Sequence, residues 1–136
     1  MKPEIKAAWI AALRSGEYKQ TRGKLHRSFR MTGDSLVEEY CCLGVLCDLH
    51  RKAQTGPDKY EWETTFSDHR RYIGDMDGLP EPVHEWAGLY NPDPPVEVFN
   101  NDGDKKRFGL SACNDGVSDL DAMNFEQIAK LIEEQL

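Results

Sequence analysis

The segment Tyr40–Ala53 (YCCLGVLCDLHRKA) constrains the fold more than any other stretch of this chain. It begins apolar on nearly all sides, turns polar, and ends before Gly56-Pro57. A helix that is apolar all round packs against several neighbours, so we predict a central helix over residues 42–54. Gly44 lies inside that helix at a cost of about 1 kcal/mol relative to alanine. A glycine in that place indicates that another element approaches the helix closely.

Both ends of the chain also carry helix signals. Near the start, an apolar residue recurs every four positions from Ile5 to Leu13, which predicts a helix over residues 3–14. Near the end, Asn124 is followed three residues later by Gln127, the spacing of a capping box. An amphipathic stripe follows, so a C-terminal helix is predicted over residues 124–135.

Shorter alternations of apolar and polar residues predict strands. Leu25, Phe29 and Met31 share one parity, and a turn at residues 32–35 leads to a return strand over residues 36–40. Arg27 is the exception to this alternation.

A second set of alternations lies further along the chain. Residues 60–66 alternate as a half-buried strand does, and residues 96–108 predict a second hairpin closed at Asp102-Gly103. The remaining segments are predicted as a loop over 67–78, a short helix over 79–87 and one helical turn over 110–114. Together these elements predict an α+β fold, in which a small antiparallel sheet of hairpins packs with three to four helices in a single compact domain over residues 1–136.

Length and cysteine usage narrow the class of protein. The chain has 136 residues, close to the usual length of one domain. No stretch approaches the ~20 apolar residues that a membrane span needs, so no membrane partner is expected. Three of the four cysteines crowd into Cys41–Cys47, which is not the spacing of a secreted disulfide scaffold. We therefore expect a cytoplasmic protein with buried thiols.

Two kinds of cysteine chemistry compete with simple burial. The cysteines number four, as in a structural zinc site, but Cys41, Cys42 and Cys47 lack the C-x2-C spacing of a zinc knuckle. Cys42, near a predicted helix N-terminus, could be an activated nucleophile, yet no sequence signature selects a base among the histidines. We therefore predict no catalytic residue, no metal and no cofactor.

The charge of the chain is unevenly distributed. The net charge is −7, made up of +4 over residues 1–54 and −11 over residues 55–136. An acidic chain is a poor match for duplex nucleic acid, whose binding depends on neutralising phosphates. The acidic half could instead dock on a basic partner protein.

The basic segment Lys19–Arg30 is the candidate ligand-binding site. Its cations could grip an anion such as a phosphate, glycine would let the backbone approach the ligand, and the aromatic ring could stack on a base. In the alternative, the same cations form a solvated face that pairs with the acidic half of the chain. The candidate site residues are Tyr18, Lys19, Arg22, Gly23, Lys24, Arg27 and Arg30.

Four blocks of the sequence resemble a family of small bacteriophage and prophage proteins. The blocks are Leu13–Leu25, Tyr40–Leu49 (YCCLGVLCDL), Leu79–Leu89 (LPEPVHEWAGL) and Leu110–Glu134, which contains Asn-Asp and then Phe-x-x-Ile-Ala. The resemblance implies a phage-encoded protein in the host bacterial cytoplasm, and it assigns no catalytic residue.

Three functions are compatible with these features. The residues favour a non-catalytic accessory protein that binds a host factor, or a nucleotide or other anionic ligand such as an immune signal, through the basic segment. The first alternative is a small enzyme acting on a nucleotide or a phosphorylated substrate. The second is a structural or assembly protein of the virion. The sequence leaves the identity of the ligand and the oligomeric state open.

Overall fold

The computed structural model describes residues 1–33 and 35–136, and it confirms the predicted α+β class. The helices are α1 Pro3–Arg14, α2 Cys42–Ala53, α3 Glu81–Ala87, α4 Leu110–Asp115 and α5 Phe125–Gln135. The strands are β1 Lys19–Gln20, β2 His26–Arg30, β3 Leu36–Tyr40, β4 Trp62–Glu63, β5 His69–Tyr72, β6 Pro95–Phe99 and β7 Lys105–Gly109.

Helix α2 lies at the centre of the protein, as the sequence predicted. It contacts α1, α3, α4 and the end of β3, and nearly all of its first two turns are buried. The indole N–H of Trp9 donates to the carbonyl oxygen of Cys42 at 2.9 Å. The close approach expected at Gly44 is also confirmed, because a Cβ placed there would overlap the backbone carbonyl of Leu25.

The two terminal helices pack against each other, and the capping box is confirmed. The side chain of Asn124 accepts from the N–H of Gln127, and the Gln127 side chain accepts from the N–H of Asn124, both at 2.9 Å. Arg14 bridges from α1 to Glu126 and Glu133 on α5 at 3.1 and 2.7 Å. The segment predicted as a single helical turn at residues 110–114 is helix α4, so five helices stand in the described residues rather than three to four.

The larger sheet has five strands in the order β1-β3-β2-β5-β4. Its hairpin β2–β3 is antiparallel as predicted, but β1 pairs with β3 in parallel. The loop after β1 passes the end of β3 before the chain enters β2, which leaves β1 running in the same direction as β3. Mixed pairing therefore replaces the purely antiparallel sheet that the sequence suggested.

The buried face of β2 does not follow the apolar parity of its sequence. His26 and Ser28 are buried, whereas Phe29 is half-buried and Met31 is 56% exposed. The guanidinium of Arg27 lies 4.2 Å from the centre of the Phe29 ring, so this aromatic side chain is covered by a cation and not by the core. The turn predicted at residues 32–35 includes Asp34, which lies outside the described residues.

The predicted strand over residues 60–66 contracts to β4, and the predicted loop over 67–78 contains β5. Strand β5 pairs with both β2 and β4, and its Tyr72 is fully buried. Three basic residues precede Tyr72, so β5 lacks the alternation of apolar and polar residues that predicts a strand.

A separate hairpin, β6–β7, has the predicted two strands and packs on α5 and α4. After α4 the chain folds back, and the N–H of Met123 donates to the carbonyl of Cys113 at 2.8 Å. Within the described residues, no helix combines the length and the apolar character needed to span a membrane.

Candidate functional site

Lys19 on β1 and Arg27 on β2 are paired with carboxylates of the same chain. Glu39 lies between Lys19 and Arg27 in the register of the sheet, at 3.7 Å from the Lys19 ammonium and 3.3 Å from the Arg27 guanidinium. Arg27 also contacts Asp68 at 2.6 Å. These two members of the predicted site are therefore largely neutralised.

The loop between β1 and β2 is fastened to the end of α4. The backbone N–H of Gly23 donates to Asp115 Oδ1 at 2.9 Å, and Arg22 Nε donates to the carbonyl of Asn114 at 3.2 Å. Gly23 has a φ of 87°, a conformation that glycine adopts without strain. A glycine at this position is therefore explained by the turn and by the hydrogen bond to Asp115, without a ligand.

The remaining members of the predicted site lie in other surroundings. Lys24 pairs with Asp77 at 2.7 Å, and Arg30 is exposed at the end of β2. The Tyr18 hydroxyl donates to Asp48, on α2, at 2.7 Å. The structure thus does not bring all seven residues into one site. Gly23, Lys24 and Arg27 contact carboxylates of the acidic half, as in the alternative. Tyr18 and Lys19 contact carboxylates of residues 1–54 instead.

Two clefts do bring functional side chains together. The acidic cleft has a volume of about 250 Å³ and is lined by Glu17, Tyr18, Glu38, Tyr40, Asp48, Arg51 and Lys52. The Phe66 cleft has a volume of about 570 Å³ and is lined by Thr64, Thr65, Phe66, Ser67, His69, Arg71 and Met76.

The buried carboxylate of Asp48 organises the acidic cleft. Its side chain is 3% exposed and accepts hydrogen bonds from Tyr18 at 2.7 Å, Arg51 at 2.8 Å and Trp62 at 3.0 Å. Burial alone would raise the pKa of Asp48, but these donors outweigh it and hold the pKa below its usual value. Asp48 is therefore ionised at neutral pH and fixes the Tyr18 ring in the wall of the cleft.

His26 lies behind this cleft without a hydrogen-bond partner. Its ring stacks on Tyr40 with centroids 4.2 Å apart, and within the described residues neither ring nitrogen makes a hydrogen bond. Burial lowers the pKa of His26 to about 4, so the ring is neutral at pH 7. Its 3.6 Å contact with Glu38 therefore joins a neutral ring to a carboxylate and is not an ion pair at that pH.

Replacing this ring should change the pH dependence of stability. In the unfolded state His26 is protonated below pH ~6.5, whereas in the folded state it stays neutral down to about pH 4. Between these pH values the wild-type protein should lose about 3 kcal/mol more unfolding free energy than His26→Phe, which keeps a ring on Tyr40. Above pH 7 the variant should be at least as stable, because it buries no unpaired nitrogen.

Urea unfolding at a series of pH values measures this difference. Parallel slopes for the wild type and His26→Phe would contradict the neutral, buried state of His26.

The Phe66 cleft combines an exposed aromatic ring with basic and hydroxyl side chains. Phe66 is fully exposed, although large apolar side chains are usually at least partly covered. The Arg71 guanidinium lies 3.9 Å from its nearest carboxylate, on Glu63, at the edge of ion-pair distance. Among the described residues that line this cleft there is no carboxylate, so the described lining is neutral to basic.

The four thiols are buried and protonated. Burial raises the pKa of Cys41 to about 12 and that of Cys113 to about 11, and it holds the pKa of Cys42 well above its usual value. The Cys42 thiol donates to the carbonyl of Leu110 at 3.6 Å. Burial therefore raises the pKa of Cys42 more than the N-terminus of α2 lowers it. This result argues against Cys42 as an activated nucleophile. Within residues 1–33 and 35–136, no group of histidines, cysteines and acids is arranged to hold a metal ion.

Sequence reasoning missed the residues that organise both clefts. Asp48 offered a signal, since a lone carboxylate inside an apolar run needs buried partners. His26 and Phe66 offered little, because their burial and exposure depend on which face of each strand meets the core.

Comparison with known proteins gives a family and no further relative. The model of a family described as a domain of unknown function (DUF8296) matches residues 1–136. No curated protein and no solved structure matches the chain.

Proposed function

Since this chain belongs to the DUF8296 family, whose description names no activity, we propose its function from geometry: it is a non-catalytic binding protein that holds a nucleotide in the Phe66 cleft. The observation that carries the proposal is the cleft itself, which joins an exposed aromatic ring to an incompletely paired arginine. The proposal keeps the ligand class expected from the sequence and moves its site away from the basic segment.

The size of the Phe66 cleft suits a small molecule. Small-molecule sites have volumes of about 300–1,000 Å³, and this cleft has about 570 Å³. The acidic cleft, with about 250 Å³, falls below that range. A mononucleotide therefore fits the first cleft better than the second.

The chemistry of the lining also suits a nucleotide. A base stacked on an aromatic side chain gains about 1–3 kcal/mol, and Phe66 offers a ring with no neighbour covering it. Arginine grips phosphate oxygens with paired N–H donors. Arg71 has guanidinium nitrogens to spare beside its weak contact with Glu63.

The loop that carries Phe66 is held in shape by its own hydroxyls. Thr65 Oγ1 donates to the carbonyl of His69 at 2.6 Å, and Ser67 Oγ accepts from the N–H of His69 at 3.2 Å. The Arg27–Asp68 ion pair ties the same loop to β2. Arg27 of the basic segment thus helps to position the Phe66 cleft. A loop that is ordered before binding loses less conformational entropy when the ligand binds.

The proposal includes a biological setting. The resemblance to phage proteins favours a phage-encoded accessory protein, and four free cysteines suit the reducing cytoplasm of a bacterial host. A protein that holds a nucleotide there can sequester a host signal. The protonated state of the thiols favours binding over thiolate catalysis, and turnover of the bound nucleotide would instead support the enzyme alternative.

Thermal-shift measurements with mono- and dinucleotides test the proposal, with inorganic phosphate as the comparison ligand. A nucleotide at ~100 times its Kd should stabilise the protein by about 2.7 kcal/mol. Phe66→Ala and Arg71→Gln should each weaken binding about tenfold or more, as expected for a lost stacking or charge-assisted contact.

Phe99→Ala and Arg107→Gln are matched controls, because both residues are exposed on the β6–β7 hairpin. These controls should bind like the wild type. Absence of a shift with every nucleotide, or equal losses in the controls and the cleft variants, would refute the proposed site.

A further inference from the structure

The acidic cleft carries carboxylates that no cation neutralises. Arg51 and Lys52 lie 2.8 and 3.6 Å from Asp48. Arg51 also lies 3.7 Å from Glu61, so both cations of the lining face carboxylates other than Glu17 and Glu38. Among the described residues, Glu17 makes no ion pair, and Glu38 has only the neutral ring of His26 within ion-pair distance. The rim of the cleft is therefore left with two unpaired negative charges.

His26 supplies a second, independent indication of a ligand. Its side chain is 3% exposed, and its Nε2 lies 3.6 Å from the Glu38 carboxylate in the cleft lining. A buried polar atom without a partner costs about 1–3 kcal/mol, and native proteins retain few of them. In the tautomer that has its proton on Nδ1, a donor held by Glu38 would also donate to Nε2 of this ring and offset part of that cost.

The aromatic walls already hold a cation from the chain itself. The Lys52 ammonium lies 5.1 Å from the centre of the Tyr18 ring and 3.0 Å from the Tyr18 hydroxyl. The Tyr18 and Tyr40 rings meet edge to face with centroids 5.1 Å apart. Tyrosine faces attract ammonium and guanidinium groups, so the cleft is built for a positive group.

The size of the acidic cleft favours a single side chain over a complete small-molecule ligand. Its volume of about 250 Å³ is below that of typical small-molecule sites and matches one extended side chain. Guanidinium is preferred over ammonium, because its planar fork can engage two carboxylates and also stack on an aromatic ring. From these observations we infer that the acidic cleft docks an arginine side chain of a basic partner protein.

This inference concerns a different cleft from the proposed nucleotide site, and either can fail without the other. The overall charge of −7 draws a basic partner toward the protein over a distance of about a Debye length. The final contact depends on Glu17 and Glu38, because they are the unpaired charges at the rim.

A titration followed by NMR tests the inference, with Nα-acetyl-arginine amide as the probe. The probe should bind saturably and shift resonances of Tyr18 and Tyr40. Nα-acetyl-citrulline amide, which has the same shape without the charge, should bind at least about tenfold more weakly, since hydrogen bonds between charged groups are about twice as strong as neutral ones.

The double variant Glu17→Gln/Glu38→Gln should weaken the arginine probe about tenfold or more. The double variant Glu85→Gln/Glu134→Gln, which loses the same charge at exposed sites, should bind like the wild type. Equal binding of the citrulline probe, equal losses in the two double variants, or no saturable binding would overturn the inference. Tighter binding of spermidine than of the arginine probe would also overturn it, because it would indicate a free polyamine.

Discussion

Gly44→Ala should destabilise the protein by about 3 kcal/mol or more, which is the upper part of the range for overpacked cores. A Cβ at this position would overlap the carbonyl oxygen of Leu25, and the next nearest atoms are also Leu25 backbone. Backbone atoms cannot swing aside as the end of a long side chain can. The same carbonyl accepts the N–H of Cys41 at 3.2 Å, so a displaced Leu25 would also disturb the start of α2.

The sign of this effect makes the test sharp. In an open helix, alanine is more favourable than glycine by about 1 kcal/mol, so helix propensity alone predicts a gain in stability. Urea unfolding monitored by circular dichroism measures the change. Gly78→Ala is the matched control, because a Cβ there meets Pro92 only at ordinary contact distances of 3.5 Å and more. A stabilised Gly44→Ala protein would contradict the close approach of α2 to the Leu25 backbone.

Asn114→Ala should cost about 4 kcal/mol, because one fully buried amide on α4 makes four hydrogen bonds and joins α4 to α2 and to the chain at the end of β1. Its oxygen accepts from Gln20 Nε2 at 2.9 Å and from the N–H of Cys42 at 3.1 Å. Its nitrogen donates to the carbonyl of Thr21 and to Asp115 Oδ1, both at 2.9 Å. Alanine leaves the buried groups among these without a partner, and each such group costs about 1–3 kcal/mol.

Asn114→Asp separates hydrogen bonding from shape. Aspartate keeps the acceptor oxygen, but it loses the donor to Thr21 and places a second carboxylate beside Asp115. The Asp variant should therefore lose stability progressively as the pH rises through the pKa of the new carboxyl group. Chemical unfolding at several pH values measures both variants.

Asn101→Ala is the control for Asn114, since its side chain is exposed and donates one hydrogen bond, to Asp121, among the described residues. It should change the unfolding free energy by less than about 1 kcal/mol. If Asn114→Ala were no more damaging than this control, the buried amide would not be the junction between α2, α4 and the loop after β1.

The stability of this junction bears on the candidate sites. Asn114 and Asp115 hold the loop that carries Arg22 and Gly23, so the Asn-Asp pair of the last sequence block has a structural role here. Arg22 donates its Nε–H to this anchor, and Lys24 of the same loop pairs with Asp77. These contacts belong to the alternative that the sequence left open, in which the basic segment pairs within its own chain.

Local patterns were sufficient for the main elements of the fold. The apolar segment after Tyr40 gave α2, the Asn124–Gln127 spacing gave the start of α5, and the Asp-Gly turn gave the β6–β7 hairpin. Each of these signals lies within a few turns or one hairpin, so propensity and periodicity are enough to read it. Gly44 was also readable, because a costly glycine in a buried helix implies a neighbour at its surface.

Only the tertiary structure decided which charges are free. Arg27 meets Asp68 and Arg22 meets Asn114 across 41 and 92 positions of sequence, and no periodic pattern encodes such distant pairs. The inward face of β2 was likewise chosen by packing against Tyr40 and Trp62, not by the alternation of its own residues. A sequence records how many charges a chain has, but whether a given charge meets a partner or faces solvent depends on how the finished sheet and helices come together.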